Sequence, residues 1–294
     1  MLTPADRERI DRFVAKIRDS GSDGPSVHTA VLAELSDIHQ RVNPKTGKPY
    51  AMTTNRSLIS GYRNVLRAEL GEDAPVLEKF KHSADHVAEY RRHQQNRREE
   101  RHRNQRPLKG QEHIERAVAL LSYNAKIRWS NATAIAGVVA LTGRRPYEVG
   151  CVSGFEPDSV DVVRVMFSGQ TKTRETERVG SPYSIPVLSE RDLVLETVAR
   201  IRKEVDPTLD NKTYSQRFGK EVGIVAKRTF TDAEGQSITP RELREAYAAV
   251  AYRKFASPNI SEVQFYNDIL GHQGDMNATL FYFDFYLIDN VESQ

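Results

Sequence analysis

The stretch LTGRRPYEVG, residues 141–150, joins the end of an apolar helix pattern to two consecutive arginines. Gly143 is a typical residue to end a helix, because glycine readily adopts the left-handed conformation. Arg144 and Arg145 follow at once. Arginine stays protonated in a protein, and its planar guanidinium matches two phosphate oxygens, so the stretch suits binding of a phosphodiester. An exposed pair of arginines at a helix end is the alternative that the stretch alone leaves open.

The sequence around this stretch is dominated by helical patterns. Residues 114–124 and 131–143 predict two helices, and the only convincing strand patterns, residues 159–167 and 183–188, bracket a polar loop. After Ser189 every segment is predicted to be helical, including the closing aromatic one. The chain is therefore expected to be mainly α with a small β-sheet, an α+β fold.

The first hundred residues predict a separate helical domain. Thr3 caps a first helix that has Pro4 at its first position, and Gly71 closes a third helix. A fourth helix is expected to run from Pro75 into an arginine-rich segment. The stretch RPLKGQEH then carries Pro and Gly and marks a boundary. These signals predict two domains, residues 1–105 and 106–294.

Composition limits the class of protein. Of the 294 residues 38% are hydrophobic and 28% charged, and the mean hydropathy is -0.59, which is typical of a soluble globular protein and argues against a membrane protein. The N-terminus lacks the apolar core of a secretory signal, so the expected location is the cytoplasm. The single cysteine, Cys151, excludes an internal disulfide and a cysteine-based metal cluster. No nucleotide-binding glycine loop or zinc-protease motif is present, so no metal and no cofactor are expected.

Positive charge is concentrated in one segment, although the net charge is only +3. Residues 91–106, RRHQQNRREERHRNQR, hold seven arginines and two histidines against two glutamates. The segment predicts either a linker that follows DNA phosphates or a solvated helix face. The candidate DNA-binding residues here and elsewhere in the chain are Arg56, Arg63, Arg97, Arg98, Arg101, Arg103, Arg144 and Arg174.

Two further clusters carry basic residues. Lys172 lies between the two strand patterns, where it is either a solvated lysine or a donor of a proton to a departing 5′ oxygen. In TPRELREAYA, Thr239 and Glu242 predict a capping box, which places Arg241 and Arg244 on one face of the first helical turn. Cations there oppose the helix dipole, which favours a phosphate site over a plain exposed pair.

The stretch LGHQGDMNATLFYFDFY, residues 270–286, contains a histidine and two tyrosines. His272 follows a glycine, and Tyr282 is expected inside a helix that starts near Asn277. Taken alone, a tyrosine among phenylalanines is most often a core residue. Tyr286 and Tyr266 are the other candidates if one of these tyrosines is a nucleophile.

The order of the clusters resembles the catalytic set of the tyrosine recombinase and telomere resolvase superfamily. TGRRPYE fits the TGxRxxE pattern of that superfamily, which selects Arg145 with Glu148, and LGH fits as well. The similarity runs from about residue 142 to residue 286. Arg241 in place of the usual histidine, a gap of ten residues from His272 to Tyr282 and the segment NKTYSQRFGKEV look more like telomere resolvases than integrases. Phe281, not a tyrosine, stands nine residues after the histidine, which departs from the integrase pattern.

The resemblance implies a function and a role for each residue. Residues 1–105 would be a helical DNA-binding domain and residues 106–294 a tyrosine-recombinase-like catalytic domain. Tyr282 would form a 3′-phosphotyrosine bond, which stores the energy of the phosphodiester, so rejoining needs neither ATP nor metal. Arg145, Arg244 and His272 would hold the nonbridging oxygens of the phosphate. Arg241 would supplement them, and Lys172 would protonate the leaving oxygen.

The expected partner is double-stranded DNA with a palindromic site. The chain would bind it as a homodimer, because two-fold protein symmetry matches a palindrome, and would leave hairpin telomeres. A conventional tyrosine recombinase and a DNA-binding protein without activity are the alternatives.

Overall fold

The computed structural model describes residues 3–21, 24–122, 130–171, 181–272 and 276–289. The chain folds as two compact units, Met1–Asn96 and Arg97–Gln294. The boundary between the units falls inside a helix, and the domain boundary at residue 105 stays a prediction. The fold class, mainly helical with a small sheet, is confirmed. Within the described residues no helix is long and apolar enough to cross a membrane.

Five helices begin in the first unit: α1 Pro4–Asp19, α2 Pro25–Gln40, α3 Met52–Leu70, α4 Val76–Lys79 and α5 Ala84–Arg103. The predicted cap of α1 is present as a capping box between Thr3 and Asp6. The prediction of one long fourth helix from Pro75 is wrong, because the helix is interrupted between the end of α4 and the start of α5. Arg63 donates to the backbone carbonyls of Leu77 and Phe80 and so satisfies the end of α4.

The second unit is built around one buried helix. Its helices are α6 Gly110–Leu121, α7 Asn131–Thr142, α8 Arg191–Glu204, α9 Asn211–Thr229, α10 Pro240–Phe255, α11 Glu262–Leu270 and α12 Met276–Thr279, with a π-helical turn at Glu148–Val152. Residues 132–142 of α7 are all buried, because α6, α8, α9 and α10 pack around it. Apolar residues therefore occur all round α7, with no polar face.

Two small sheets complete this unit. Strands β2 Gly154–Pro157, β3 Arg164–Ser168 and β4 Tyr183–Pro186 form an antiparallel sheet in that order, and β1 Arg106–Leu108 pairs in parallel with β5 Phe285–Leu287. Strands β3 and β4 overlap the two strand patterns, whereas β1 and β2 were not predicted.

The prediction that the closing aromatic segment is a helix is wrong. Only the single turn α12 is helical, and Tyr282 lies beyond it rather than inside a helix. Phe283 and Phe285 are buried while Tyr286 is exposed, which is the alternation of a strand. The backbone N–H of Arg106 donates to the carbonyl of Asp284 at 2.8 Å. The segment is therefore held by pairing with β1, a strand that is distant in sequence.

Candidate active site

The loop after α7 is fixed by a glycine that no other residue replaces without strain. Gly143 has φ +66°, and a Cβ at this position would lie 2.2 Å from Cδ1 of the buried Tyr247. The chain therefore turns sharply and delivers the next residues to one place. Arg145 donates from its backbone N–H to Glu148 Oε2 at 2.7 Å and from Nη1 to Glu148 Oε1 at 2.6 Å. Its Nη1 also donates to the carbonyl of Thr171 at 2.7 Å.

Glu148 is a buried carboxylate at the centre of several arginines. Burial alone would raise the pKa of Glu148, but Arg145, Arg244 and Arg144 outweigh it and lower the pKa to about 2. The carboxylate also accepts the backbone N–H and the hydroxyl of Thr171, at 2.9 and 2.8 Å. Glu148 therefore stays ionised and fixes the orientation of Arg145.

Helix α10 supplies the second arginine. The predicted capping box is present, since Thr239 donates its N–H to Glu242 Oε2 at 2.7 Å and its hydroxyl accepts the Glu242 N–H. Arg244 is buried, and its Nε donates to the carbonyl of Gly143 at 2.6 Å. Its Nη1 donates to the Tyr282 hydroxyl at 3.0 Å. Burial and the neighbouring Arg145 lower the pKa of Arg244 to about 10, which still leaves it charged at neutral pH.

One nitrogen of Arg244 remains available. Its Nη2 is buried and has no hydrogen-bond partner among the described residues. A buried donor without an acceptor costs about 1–3 kcal/mol. Such a group is expected where a ligand oxygen completes the site.

Arg241 shares a helix face with Arg244 but has a different environment. Its side chain is 55% exposed, and its Nε lies 3.1 Å from Oε1 of the buried Glu245. The spacing therefore placed both arginines on one side of α10 correctly, while only the structure distinguishes the buried one from the exposed one.

His272 and Tyr282 meet in this region. Gly271 has φ +68°, and a Cβ there would lie 2.0 Å from Oε1 of Gln170, so this motif position also requires glycine. The rings of His272 and Tyr282 lie 4.8 Å apart between centroids. His272 Nδ1 is 3.2 Å from the Thr279 hydroxyl. Burial, with Arg244 and Arg145 nearby, lowers the pKa of His272 to about 3, so the imidazole is neutral at pH 7.

Arg145, Arg241, Arg244 and Tyr282 border a cleft of about 490 Å³, whereas His272 is not among its lining residues. The lining residues are Arg145, Pro146, Tyr147, Thr171, Asn211, Tyr214, Ser215, Gly219, Pro240, Arg241, Arg244 and Tyr282. Guanidinium groups and the Tyr282 hydroxyl therefore open into one space, with α9 as its opposite wall. The geometry suits an anion held beside a tyrosine hydroxyl.

The other candidate tyrosines lie elsewhere. Tyr266 is fully buried and donates its hydroxyl to Glu262 at 2.6 Å. Tyr286 lies in β5 and lines a different cavity, with Tyr252 and Arg253. Among these three tyrosines, Tyr282 alone lines the cleft.

Other predicted site residues are spread over different environments. Arg144 is fully buried, donates to the carbonyls of Thr142 and Ile269 and lies 4.7 Å over the Phe167 ring. Arg144 therefore supports the loop from inside. Lys172 and Arg174 lie outside the described residues.

The candidate DNA-binding arginines of the two units also differ. Arg56 lies 3.7 Å over the Tyr90 ring, and Arg63 bonds the backbone carbonyls at the end of α4. Arg97 and Arg103 are exposed. Arg98 and Arg101 instead contact Phe281, as their guanidiniums lie 4.7 and 5.9 Å from the centre of its ring.

Sequence reasoning missed the residues that support the site from behind. Arg202 of α8 donates to the backbone carbonyls of Glu148, Val149, Cys151 and Ser153, so it holds the π-helical turn that carries Glu148. The Tyr214 hydroxyl donates to the carbonyl of Pro146 at 2.8 Å. An arginine on an amphipathic helix gives no local signal of such a role. The segment NKTYSQRFGKEV contains a signal of a different kind. Asn211, Ser215 and Gly219 recur every four residues, which places them on one face of α9, and they line the cleft.

The model of the telomere resolvase ResT/TelK catalytic domain family matches residues 104–285. The chain belongs to the telomere resolvase family. Members of this family break and rejoin DNA. The resemblance identified from the sequence is thereby confirmed.

Individual relatives support this assignment. Telomere resolvase ResT of Borreliella burgdorferi is 25% identical over 159 residues, which are 54% of this chain and 35% of ResT. The match thus spans about a third of the length of that relative. A structure of protelomerase TelA covalently complexed with substrate DNA is 26% identical, with a TM-score of 0.81, and covers 97% of this chain and 89% of TelA. An arginine-to-alanine mutant of TelA complexed with DNA hairpin product gives 25% identity and a TM-score of 0.82, at the same coverage.

Proposed function

We propose that this chain is a telomere resolvase that cuts a palindromic duplex through Tyr282 and rejoins the strands as covalently closed hairpin ends. The observation that carries the proposal is the 3.0 Å hydrogen bond from the buried Arg244 to the Tyr282 hydroxyl, in a cleft that Arg145 and Arg241 also line. A tyrosine hydroxyl with a pKa near 10 is a poor nucleophile at neutral pH, so it needs cationic surroundings of this kind.

The charge of the cleft supports a phosphodiester as the ligand. Among the described residues, Arg144, Arg145 and Arg244 all lie near one carboxylate, that of Glu148. The cluster therefore carries excess positive charge, and the free Nη2 of Arg244 is one more donor. A bound phosphate would supply the missing negative charge and the missing acceptor.

The proposed cleavage step forms a bond between the Tyr282 oxygen and phosphorus and breaks the bond to the 5′ oxygen. Arg145 and Arg244 hold the nonbridging oxygens, and Arg241 supplements them from the rim of the cleft. We assign Lys172 the role of donating a proton to the departing 5′ oxygen. The arginines cannot accept the tyrosine proton, since arginine stays protonated, and His272 is a weak base because its pKa is lowered to about 3. The proton therefore leaves to water as the bond to phosphorus forms, and His272 contacts a nonbridging oxygen.

Rejoining reverses these roles. The 5′ hydroxyl of the opposite strand of the same half-site attacks the phosphotyrosine, tyrosine leaves, and a hairpin results. TelA is described with substrate DNA attached covalently and with a hairpin product, which supports this order of events. The symmetric product requires two active sites, so we propose a homodimer on a palindromic site.

The test uses a plasmid that carries the longest perfect palindrome next to the gene, incubated with the protein in EDTA. Linear DNA whose strands reassociate instantly after melting is the expected product, because hairpin ends join the two strands. Nicked, exchanged or protein-linked DNA without such reassociation would instead indicate a conventional recombinase. Plasmid that is bound but never cut would contradict the proposed catalysis and favour a DNA-binding protein without activity.

A further inference from the structure

Tyr282 lies on a segment whose own local structure is slight. It follows the single turn α12, where its backbone N–H donates to the Thr279 carbonyl at 2.9 Å, and it precedes the three-residue strand β5. A nucleophile must be held to within a fraction of an ångström of the reacting phosphorus. Contacts from elsewhere in the unit must therefore fix this tyrosine.

The last turns of α5 provide such contacts on both sides of Tyr282. Arg101 donates from Nη1 to the carbonyl of Phe281 at 3.0 Å and lies 3.4 Å from the carboxylate of Asp284. Arg98 lies over the ring of Phe281. His102 meets the ring of Phe283 edge-on at 6.1 Å. The residues on either side of the nucleophile thus contact the same helix, α5.

Next to this contact lie two neighbouring carboxyl groups, the buried one of Glu245 and the partly buried one of Asp284. Glu245 is fully buried and directly follows Arg244, and its carboxyl group lies beside that of Asp284. Both Glu245 oxygens and Asp284 Oδ1 are buried and have no hydrogen-bond partner among the described residues. Burial and the adjacent Asp284 raise the pKa of Glu245 to about 9, so the Glu245 carboxyl group is protonated near neutral pH.

Two arginines face this pair. Arg101 Nη1 lies 3.8 Å and Arg241 Nε lies 3.1 Å from Glu245 Oε1. Arg101 therefore touches the tyrosine segment and the helix of the cleft arginines at once. Its side chain is only 23% exposed, which leaves less room for the phosphate contact suggested by the sequence.

On the basis of the proposed function, we propose that Arg101, Glu245 and Asp284 form a positioning latch, which fixes Tyr282 relative to Arg241 and Arg244 without touching the DNA. The latch acts through the Phe281 carbonyl and through α10. Loosening it leaves the DNA bound while the tyrosine spends less time in line with the phosphate.

The main variant is Arg101→Gln, and its matched control is Arg228→Gln. Arg228 is an exposed arginine in the last turn of α9. For Arg101→Gln we expect at least a ~10-fold slower formation of the protein–DNA covalent complex on the palindrome plasmid, since a displacement of about 1 Å costs up to ~100-fold. DNA affinity should stay within about twofold. Arg101→Lys keeps a donor and a charge, so it should recover part of the rate.

Hydrogen exchange of the amides of residues 281–285 tests the latch without any DNA. Exchange should rise in Arg101→Gln and stay at the wild-type level in Arg228→Gln. If both variants exchange and cleave like wild type, the latch is refuted. A loss of affinity as large as the loss of rate would make Arg101 a phosphate contact and overturn the proposal as well. If wild type cuts no palindrome and exchange still rises in Arg101→Gln alone, the latch stands as a structural element while the proposed function falls.

Discussion

The two units of this protein bury very different material. In the described part of the first unit the buried polar or charged residue is Asn55, and the core is apolar, with Phe13, Tyr62 and Phe80 in ring contact. The second unit buries the charged Arg144, Glu148 and Arg244, together with the protonated Glu245, beside its apolar core.

The difference separates stability from chemistry. Buried charges cost several kcal/mol of desolvation each, and an apolar replacement is often at least as stable. They are therefore expected where a site needs a fixed electric field, while the first unit gains most of its stability from apolar contacts. Changes of the same kind made in both units should have unlike consequences.

The largest effect is expected from removing one hydroxyl. Tyr282→Phe should abolish the covalent complex on a gel and spare DNA binding, because phenylalanine has no oxygen to attack phosphorus. Tyr62→Phe is its counterpart in the first unit, where the hydroxyl donates to Glu34. That variant should cleave at a near-normal rate and lose about 1 kcal/mol of unfolding free energy. Cleavage by Tyr282→Phe would refute the assignment of the nucleophile.

A large loss of stability is expected for Glu148→Gln. It leaves Arg145 and the buried Arg144 and Arg244 without their carboxylate, at a cost of about 3–5 kcal/mol. Glu34→Gln in the first unit keeps an acceptor oxygen, and Arg9 keeps Asp37 as an ionised partner, so a smaller loss of about 1 kcal/mol is expected. Urea unfolding at pH 7 measures both. Equal losses would erase the distinction between the units.

The same carboxylate predicts an acid dependence. The pKa of Glu148 is about 2 in the folded chain and about 4.3 when unfolded, so the ionised form contributes about 3 kcal/mol above pH ~4.3. This contribution is lost as the pH falls toward 2. Unfolding free energy should therefore decline less between pH 5 and 2 in Glu148→Gln than in wild type. Parallel pH profiles for the two proteins would contradict the buried ion cluster.

A smaller effect is expected from two glycines with positive φ. Gly71→Ala in the first unit meets nothing within 4 Å, so only backbone strain of about 1–2 kcal/mol is expected. At Gly143 the added Cβ collides with Tyr247, and a loss of about 3 kcal/mol is expected. Thermal unfolding measures the difference. Equal shifts in Tm would mean that the arginine loop moves aside easily.

How much of this could be read from the sequence depends on how local each signal is. The capping box of α10, Gly143 at the end of α7, and Arg145 three residues before Glu148 all follow from short-range spacing, and the structure has each of them. The closing strand β5, by contrast, could not be predicted from short-range spacing. Its partner β1 lies at the opposite end of the unit in sequence, so only the fold brings the two together.

The unpredicted part of the site has the same origin. Arg202, Glu245 and Asp284 act through contacts with residues far away in the chain, and their spacing carries no pattern. Burial decides which of Arg241 and Arg244 is rigidly held, and helix periodicity alone cannot distinguish two positions on one face.

The smallest expected effect concerns the arginine-rich part of α5. Arg97 and Arg103 are exposed, whereas Arg98 and Arg101 contact Phe281. The logarithm of the DNA-binding constant falls linearly with the logarithm of the salt concentration. If all four arginines contacted phosphates, neutralising each would reduce the magnitude of this slope by about 1. We expect that reduction mainly from Arg97→Gln with Arg103→Gln, about two units in the slope.

A matched double variant in the first unit is Arg7→Gln with Arg12→Gln, both exposed on α1. It should leave the slope within about half a unit of wild type, since neither arginine belongs to the predicted DNA-binding set. Affinity measured from 50 to 300 mM KCl by fluorescence anisotropy gives each slope. A drop of the same size in both doubles would mean that diffuse positive charge, rather than the exposed face of α5, drives the binding.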